Sequence, residues 1–492
     1  MKFRIFKNGE PVTKFASGGA YLTGTDGIVI RKARITFKDG IITCEKQNEE
    51  SSSLSLLWSV EGFGRVLLPT TCLPEREVPY NLNVEISRAK LMQIVNKCED
   101  WSFFGEMDDL KPFAKEAQGL FTQALQNLAD EKAASKFADE ALKKAMFFSE
   151  MMASKQAEVH FNSRLESRGF GRACLGCKID PQQIGNAKYL ARLTDVFGFA
   201  TIPVNWGAIE KKKDEYDFSV IDNCVNILSK KKVTIGAGPL LYFVQDHLPK
   251  WLVEGKASFE QVREAAYRFV YKCAERYANS VRTWFVVRGL NVFNHFGFNF
   301  EQVLEMTRAG SMATKAASEK AVKIIEVANP WGEYYAALPD TIPPLVYVDM
   351  VVQSGINFDG FGLQMCFGKN QSGMHVRDML QISAILDHFF LLNRPLYITE
   401  LEVPSKSGSG AYDGTVAGIW HDAWSPAQQK QWIEQFYKVA LSKPFIDAVV
   451  YSGLADSQNS TVPGSGLLTA DLEPKGAYDA VKKLLDTIFV VR

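Results

Sequence analysis

The 492-residue sequence has no surplus of charge of either sign, because 56 lysines and arginines balance 56 aspartates and glutamates. A nucleic-acid-binding protein usually needs a basic excess to neutralise phosphates, so no nucleic-acid partner is expected. No run approaches the roughly 18 apolar residues that would span a bilayer. Residues 1–15 are charged and lack the apolar segment of a signal peptide. We therefore expect no membrane partner and a cytoplasmic location.

Cysteine is scarce, and its spacing excludes a disulfide framework. The eight cysteines are scattered, mostly within apolar runs, as is typical of free thiols in a reducing compartment. Cys174 and Cys177 form one close pair, but a zinc site would need a second pair or nearby histidines. No Walker A or dinucleotide-binding glycine motif is present. We expect neither a cofactor nor a bound metal.

The composition changes along the chain and predicts three regions. Residues 1–106 form the first, and up to about residue 95 they contain short β-branched or aromatic segments separated by turn residues, which predicts a small β-sandwich. Residues 107–165 are rich in Ala, Lys, Glu and Leu at helical spacing, which predicts a helical connecting region. Residues 166–492 follow a different and more regular pattern.

In this third region, short apolar runs alternate with helical segments. Eight runs have the continuous apolar character of strands buried on both faces. Eight βα units predict the α/β class and a closed (β/α)8 TIM barrel, in which reactive residues lie at the carboxyl ends of the strands. The eight predicted strands lie at 173–179, 199–204, 233–241, 283–290, 323–327, 358–364, 396–401 and 446–451.

The predicted strand ends are rich in carboxylates, amides and aromatic rings. Aromatic rings stack on sugar rings, and amides and carboxylates match pairs of sugar hydroxyls. This mixture predicts a carbohydrate substrate or ligand. The sequence leaves open whether the chain forms a homo-oligomer. The residues expected to bind the sugar are Asn205, Trp206, Glu210, Tyr242, Arg288, Trp331, Gln364 and Asp456.

Several of these strand ends resemble glycoside hydrolase family 10, the endo-β-xylanase family. The most specific match is the sequence Ile-Thr-Glu-Leu at 398–401, which is similar to the segment that carries the family's nucleophile. Gly-Leu-Gln at 362–364 and Ile-Pro-Val-Asn-Trp at 202–206 resemble the family's strands 6 and 2. The resemblance covers residues 171–485 and extends to divergent bacterial members. It implies a glycoside hydrolase that acts on a β-linked, xylan-like saccharide, with Glu400 as nucleophile.

The sequence also departs from the family's pattern within the expected site. The family places its acid/base glutamate after strand 4, preceded by an asparagine, but Arg288 and Gly289 occupy these positions. The resemblance therefore implies a remodelled site without its usual proton donor. The other positions where the family's histidine or tryptophan is replaced are Gly238, Tyr242, Cys366 and Ser452.

A retaining glycosidase needs a second carboxyl group about 5–5.5 Å from the nucleophile, whereas about 6.5–9.5 Å indicates inversion. Glu333, within Trp-Gly-Glu-Tyr-Tyr after strand 5, is the second predicted catalytic residue. An alternative is a catalytically inactive carbohydrate-binding or scaffold protein on the same barrel. Other groups that could replace the missing donor are Glu210, Asp246, His247 and Asp456.

Overall fold

The computed structural model describes residues 1–100, 110–167, 169–458 and 460–490. The boundary predicted between residues 106 and 107 lies outside these ranges. The strands are β1 (Lys2–Arg4), β2 (Phe6–Lys7), β3 (Glu10–Pro11), β4 (Tyr21–Gly24), β5 (Arg34–Lys38), β6 (Ile41–Glu45), β7 (Ser52–Val60), β8 (Gly64–Pro69), β9 (Tyr80–Asn81), β10 (Leu175–Lys178), β11 (Phe199–Ile202), β12 (Thr234–Ala237), β13 (Thr283–Arg288), β14 (Val322–Val327), β15 (Gly360–Cys366), β16 (Leu396–Glu402), β17 (Ile419–Trp420) and β18 (Ile446–Tyr451). The helices are α1 (Leu82–Asp100), α2 (Lys111–Gln126), α3 (Glu131–Ser167), α4 (Ala187–Val196), α5 (Trp206–Ile209), α6 (Ser219–Lys230), α7 (Lys250–Glu254), α8 (Phe259–Arg276), α9 (Phe300–Ala317), α10 (Pro344–Gln353), α11 (Met379–Phe390), α12 (Gly414–Ala417), α13 (Pro426–Ser442) and α14 (Gly476–Val490).

The N-terminal region supplies seven of the eight strands of two four-stranded sheets, which confirms the prediction of a β-rich start, and β17 supplies the eighth. Their strand orders are β5-β6-β1-β9 and β17-β8-β7-β4. Alternate residues of β7, including Leu54 and Leu56, share a core with Phe3 and Ile42 of the first sheet. Leu57, on the opposite face of β7, packs in a separate cluster with Tyr335 of the barrel. Both faces of β7 are therefore buried.

Part of the predicted β region is helical instead. α1 begins at Leu82, whereas the sequence pattern predicted β structure up to about residue 95. Leu82 and Ile86 are four residues apart and fully buried, so they share one face of the helix. α1 packs against α3. This tertiary packing outweighs the β propensity of the β-branched residues in the segment.

The predicted helical connecting region consists of α2 and α3, and α3 docks on the outside of the barrel. α3 contacts both α11 and α13. Near its end, the guanidinium group of Arg164 donates hydrogen bonds to the carbonyl oxygens of Leu441, Lys443 and Ile446 at 2.7–3.0 Å. These bonds hold the end of α3 against the segment that leads into β18.

The closed parallel barrel is confirmed. Its strands follow one another in chain order, β10-β11-β12-β13-β14-β15-β16-β18, and each of the eight predicted apolar runs overlaps one of them. Phe199, Phe285, Ile324 and Val450, from four different strands, pack together inside the barrel. Apolar side chains therefore fill the interior of the barrel, and the polar residues of the strand ends lie at its mouth. In the described part of the chain, no helix is long and apolar enough to cross a membrane.

The segment that follows β16 joins the barrel to the N-terminal sheets. Within it, β17 pairs antiparallel with β8. The indole N–H of Trp420 donates to Glu150 of α3 at 2.7 Å. The backbone N–H of Leu67 in β8 donates to the carbonyl of Val376 at 2.9 Å. One hydrophobic core extends through both regions.

Candidate active site

Glu400 lies near the carboxyl end of the seventh barrel strand, β16, and its side chain points into the barrel mouth. Its Oε1 accepts hydrogen bonds from Lys178 Nζ at 2.8 Å and from Arg288 Nη1 at 2.7 Å. Its Oε2 accepts a hydrogen bond from Gln364 Nε2 at 2.8 Å. The three partners come from β10, β13 and β15. Side chains from these strands meet only on the inner face of the barrel.

Arg288 is held by a second carboxylate, Glu326 on β14. The Nε and Nη2 atoms of Arg288 each donate to one oxygen of Glu326 at 3.0 Å, which is the bidentate geometry that suits a guanidinium group. Glu326 is fully buried and Arg288 is 7% exposed. The remaining Nη1 atom is thereby directed at Glu400. The ring of Tyr242 lies 5.6 Å from the guanidinium carbon, and burial raises the pKa of Tyr242 to about 12.

The two cations keep Glu400 ionised. Burial works to raise the pKa of Glu400, but Arg288 and Lys178 outweigh it and lower this pKa to about 2. Glu400 is therefore a carboxylate throughout the neutral pH range. This protonation state is the one that a nucleophilic carboxylate requires.

Glu402 is the next inward-facing residue of β16. Side chains two residues apart on a strand point to the same face, and both Glu400 and Glu402 act electrostatically on Cys366 of β15. Glu402 accepts hydrogen bonds from the backbone N–H of Val462 at 2.7 Å and from Ser465 Oγ at 3.4 Å. Burial and then the charge of Glu400 raise the pKa of Glu402 to about 7. Two neighbouring carboxyl groups thus have pKa values on opposite sides of the usual range.

Gly289, where the sequence resemblance predicts the acid/base position, has no room for a side chain. Its φ is +57°, a conformation that favours glycine. A Cβ atom built there would lie 2.7 Å from the Cβ of Ala328 and 2.7 Å from a ring carbon of Phe293. The usual proton donor is therefore excluded by the local backbone as well as by the sequence.

The structure does not bring Glu333 together with Glu400. The carboxylate of Glu333 pairs with Arg377 and accepts hydrogen bonds from the backbone N–H of Gly373 at 2.7 Å and from the His375 ring at 3.3 Å. Burial would raise the pKa of Glu333, but Arg377 and the other partners lower it. These contacts tie the segment after β14 to the segment after β15. A proton-donor role for Glu333 gains no support from this arrangement.

Trp206 and Glu210 lie in the protein interior. Trp206 is 2% exposed, and its ring stacks on Phe269 with the centroids 5.1 Å apart. Its indole N–H donates to Glu210, which is 1% exposed and also accepts from the N–H of Asp214. Burial raises the pKa of Glu210. This placement does not offer the Trp206 ring to a sugar.

Asn205, Asp246 and His247 follow β11 and β12, and they are less deeply buried than Trp206 and Glu210. Asn205 caps α5 through a hydrogen bond from the N–H of Ala208 and borders a cavity of about 440 Å³ that Gln245 and Asp246 also line. The ring of His247 lies 4.8 Å from that of Tyr242. Burial, with Arg288 and Lys178, lowers the pKa of His247 to about 4, so the ring is neutral at neutral pH.

Trp331 and Asp456 take part in other contacts. The ring of Trp331 lies 3.9 Å from the guanidinium carbon of Arg377, in a cation–π contact. Asp456 Oδ1 accepts hydrogen bonds from Lys475 Nζ at 2.7 Å and from the N–H of Gly466 at 3.0 Å, which fix the loop after β18. Of the residues predicted from the sequence, the structure thus brings Arg288 and Gln364 together with Glu400 and, through Arg288, Tyr242.

Sequence reasoning missed three members of the cluster, namely Lys178, Glu326 and Glu402. Each is a charged residue at or near the carboxyl end of a predicted barrel strand, and this position was the available signal. The spacing of 400 and 402 was a second signal, because it places both side chains on one face. Among the described residues, no group of three or more His, Cys, Asp or Glu side chains is placed to hold a metal ion.

Replacing Arg288 with Met should destabilise the protein by about 3–5 kcal/mol, because Glu326 would remain as an unpaired buried charge. The double variant Arg288→Met with Glu326→Gln removes that charge and should recover most of the loss. Urea unfolding of the two variants and the parent measures both effects. Equal stability of the single variant and the parent would contradict the prediction.

The sequence and the fold of this chain are similar to those of known glycoside hydrolases. The family model of glycosyl hydrolase family 10 matches residues 166–484. Xylanase 10B from Thermotoga maritima is 18% identical, with a TM-score of 0.51, over 69% of this chain and 99% of that one. Xylanase 10B from Thermotoga petrophila RKU-1, in complex with xylobiose, is 18% identical, with a TM-score of 0.51, over 66% and 96%. At this identity the likeness shows the fold, and no curated protein sequence matches the chain.

Proposed function

Because the chain belongs to glycosyl hydrolase family 10, we propose that it is a glycosidase that cleaves O-glycosidic bonds of a β-linked, xylan-like oligosaccharide. Xylobiose and xylopentaose are the ligands of similar solved xylanases, which supports a xylo-oligosaccharide as the sugar. The free state of all eight cysteines is consistent with a cytoplasmic site of action.

The observation that carries this proposal is the state of Glu400. It is an ionised carboxylate at the carboxyl end of the seventh strand, and Lys178, Arg288 and Gln364 hold it inside the mouth. Glu400 acts as the nucleophile that attacks the anomeric carbon. Its Oε2 atom, which accepts from the neutral Gln364 amide, keeps more nucleophilic character than Oε1, which has two cationic partners.

Because Gly289 has no side chain that could donate a proton, the leaving group of the substrate should determine how fast it is cleaved. General acid catalysis is typically worth about 10²–10⁴-fold. A glycoside whose leaving group departs as a stable anion does not need this assistance. The protein should therefore favour activated glycosides more strongly than a family member that has the usual glutamate.

The test compares kcat/KM for 2,4-dinitrophenyl β-xylobioside with that for xylotetraose and xylan. We expect clear turnover of the aryl glycoside and a rate on the natural substrates that is about 10²–10⁴-fold lower if no other group supplies the proton. The parallel 2,4-dinitrophenyl β-cellobioside reports on the choice of sugar. Absence of turnover of every activated glycoside would overturn the proposed activity.

The second candidate function is carbohydrate binding without cleavage. It is favoured by the combination of Gly289 with the two cations on Glu400 Oε1, because a carboxylate with two charged partners is a weaker nucleophile. Titration calorimetry with xylotetraose separates the two functions. Saturable binding together with no turnover of the aryl glycosides would establish the binding function in place of the glycosidase.

A further inference from the structure

A cavity of about 210 Å³ lies among the segments that follow β15, β16 and β18. These segments leave the carboxyl ends of the strands, which is the face of the barrel that also carries Glu400. The cavity holds roughly seven waters at about 30 Å³ each, which is enough room for one monosaccharide unit. Its lining combines apolar and cationic groups, and it includes Pro404, Lys406, Tyr412, Val462 and Pro463.

Contacts between the three segments form the walls of this cavity. The backbone N–H of Asn370, after β15, donates to the carbonyl of Ala411, after β16. Ser405 Oγ donates to the carbonyl of Gly464, after β18, at 2.6 Å, and Lys475 Nζ donates to the same carbonyl at 3.1 Å. These bonds fix the segments relative to one another, so the cavity is preformed.

Two lysines at this cavity lack an acidic partner. Within the described ranges, the ammonium groups of Lys369 and Lys406 take part in no ion pair and no hydrogen bond. Lys369 Nζ lies 5.8 Å from the centre of the Tyr412 ring, in a cation–π contact. The stem of Lys406 lies over Gly464, where a Cβ atom would be 3.2 Å from its Cε. Both ammonium groups are therefore held near the cavity with their N–H donors unused.

The acidic side chains closest in sequence to the lining residues have other partners. Asp456 pairs with Lys475 at 2.7 Å. Asp413 accepts a hydrogen bond from the N–H of Thr415 at 2.8 Å. Glu402 is buried and accepts from the N–H of Val462. The two lysines therefore give the cavity a positive charge, which favours an anionic ligand.

Resting on the proposed glycosidase function, we propose that this cavity is a subsite for a uronic acid unit carried as a branch on the xylan-like substrate. The Tyr412 ring and the neighbouring prolines supply an apolar surface on which a sugar ring packs. The ammonium groups of Lys369 and Lys406 donate charge-assisted hydrogen bonds to the carboxylate of that sugar. Val462 connects the subsite to the nucleophile's strand, because it lines the cavity and its N–H binds Glu402 of β16.

Titration calorimetry compares xylotetraose with the same oligosaccharide bearing one α-1,2-linked glucuronic acid. The Glu400→Gln background prevents cleavage during the titration. We expect the acidic ligand to bind about tenfold more tightly or better, because charge-assisted hydrogen bonds are stronger than neutral ones. The methyl ester of the glucuronic acid keeps the shape without the charge and should lose this gain. About 0.5 M NaCl should also reduce the gain, because salt screens partly exposed charges.

Lys406→Met should weaken binding of the acidic ligand by about threefold to tenfold and leave the Kd of xylotetraose unchanged. Lys369→Met should act in the same direction, and Lys406→Arg, which keeps the charge, should restore the preference. Lys406 is exposed, so these variants should fold like the parent. Lys231→Met is the matched control, since Lys231 is an exposed lysine between α6 and β12, at the opposite face of the barrel.

The outcomes separate the subsite from the glycosidase function. Equal affinity for the acidic and neutral ligands, or a preference that both Met variants leave unchanged, overturns the subsite. Turnover of 2,4-dinitrophenyl β-xylobioside by the parent would then leave the glycosidase function intact. A lysine-dependent preference without that turnover overturns the glycosidase function and supports the subsite. Tighter, Lys406-dependent binding of tetragalacturonate, whose uronic acids lie in the backbone, would support a uronic acid subsite and overturn the branch position.

Discussion

Replacing Glu400 with Gln is expected to lower kcat/KM on the activated aryl xyloside by about 10⁴-fold or more, as loss of a nucleophile does in other enzymes. The neutral amide is isosteric but cannot form the glycosyl ester. Gln364 and the anchored Arg288 keep the shape of the pocket, because Glu326 holds Arg288 independently of Glu400. Initial rates with 2,4-dinitrophenyl β-xylobioside measure the loss.

Chemical rescue distinguishes lost chemistry from lost structure. Azide added to Glu400→Gln attacks the anomeric carbon directly and should restore part of the rate, with a glycosyl azide of inverted configuration as product. Residual hydrolysis above one-tenth of the parent rate in Glu400→Gln would remove Glu400 from the mechanism.

The barrel was predictable because parallel strands buried on both faces leave a strong signal. Runs such as those at 283–290 and 446–451 are apolar throughout, and the structure has strands at Thr283–Arg288 and Ile446–Tyr451. The start of α1 was not predictable in the same way. Its β-branched residues suggest strands, and packing against elements such as α2 and α3, which come later in the sequence, makes the helix favourable.

The position of Glu400 was also predictable, since a specific motif lay at a predicted strand end. Its partners were harder to infer, because their roles depend on which strands face one another across the barrel. Lys178 is 222 residues from Glu400 in sequence, yet the two side chains are in contact. Trp206 shows the reverse error, because an aromatic ring at a strand end suggests sugar stacking while the structure buries it against Phe269.

The N-terminal region packs directly against the barrel region, and residues of both regions share one hydrophobic core. β8 pairs with β17, which belongs to the segment after the seventh barrel strand. Lys90 of α1 forms an ion pair with Asp378 at 3.1 Å, and both side chains are nearly inaccessible to solvent. Asp378 is the N-terminal capping residue of α11, so this ion pair connects α1 to a barrel helix directly.

Removing residues 1–165 should therefore prevent the barrel from folding into a stable, cooperative unit. The truncation removes Lys90 from Asp378 and Arg164 from the carbonyl groups before β18. It also exposes the apolar surface of α11 and α13 that α3 covers, and loss of that burial alone costs about 25 cal/mol per Å². Circular dichroism melting and solubility of the truncated chain, against the full-length protein, measure the result. Lys90→Met in the full chain is a graded control that should cost about 3–5 kcal/mol, because it breaks the same buried ion pair without removing the helices. A truncated chain that stays soluble and melts at the parent temperature would show that the barrel is stable by itself and does not need α3 for its stability.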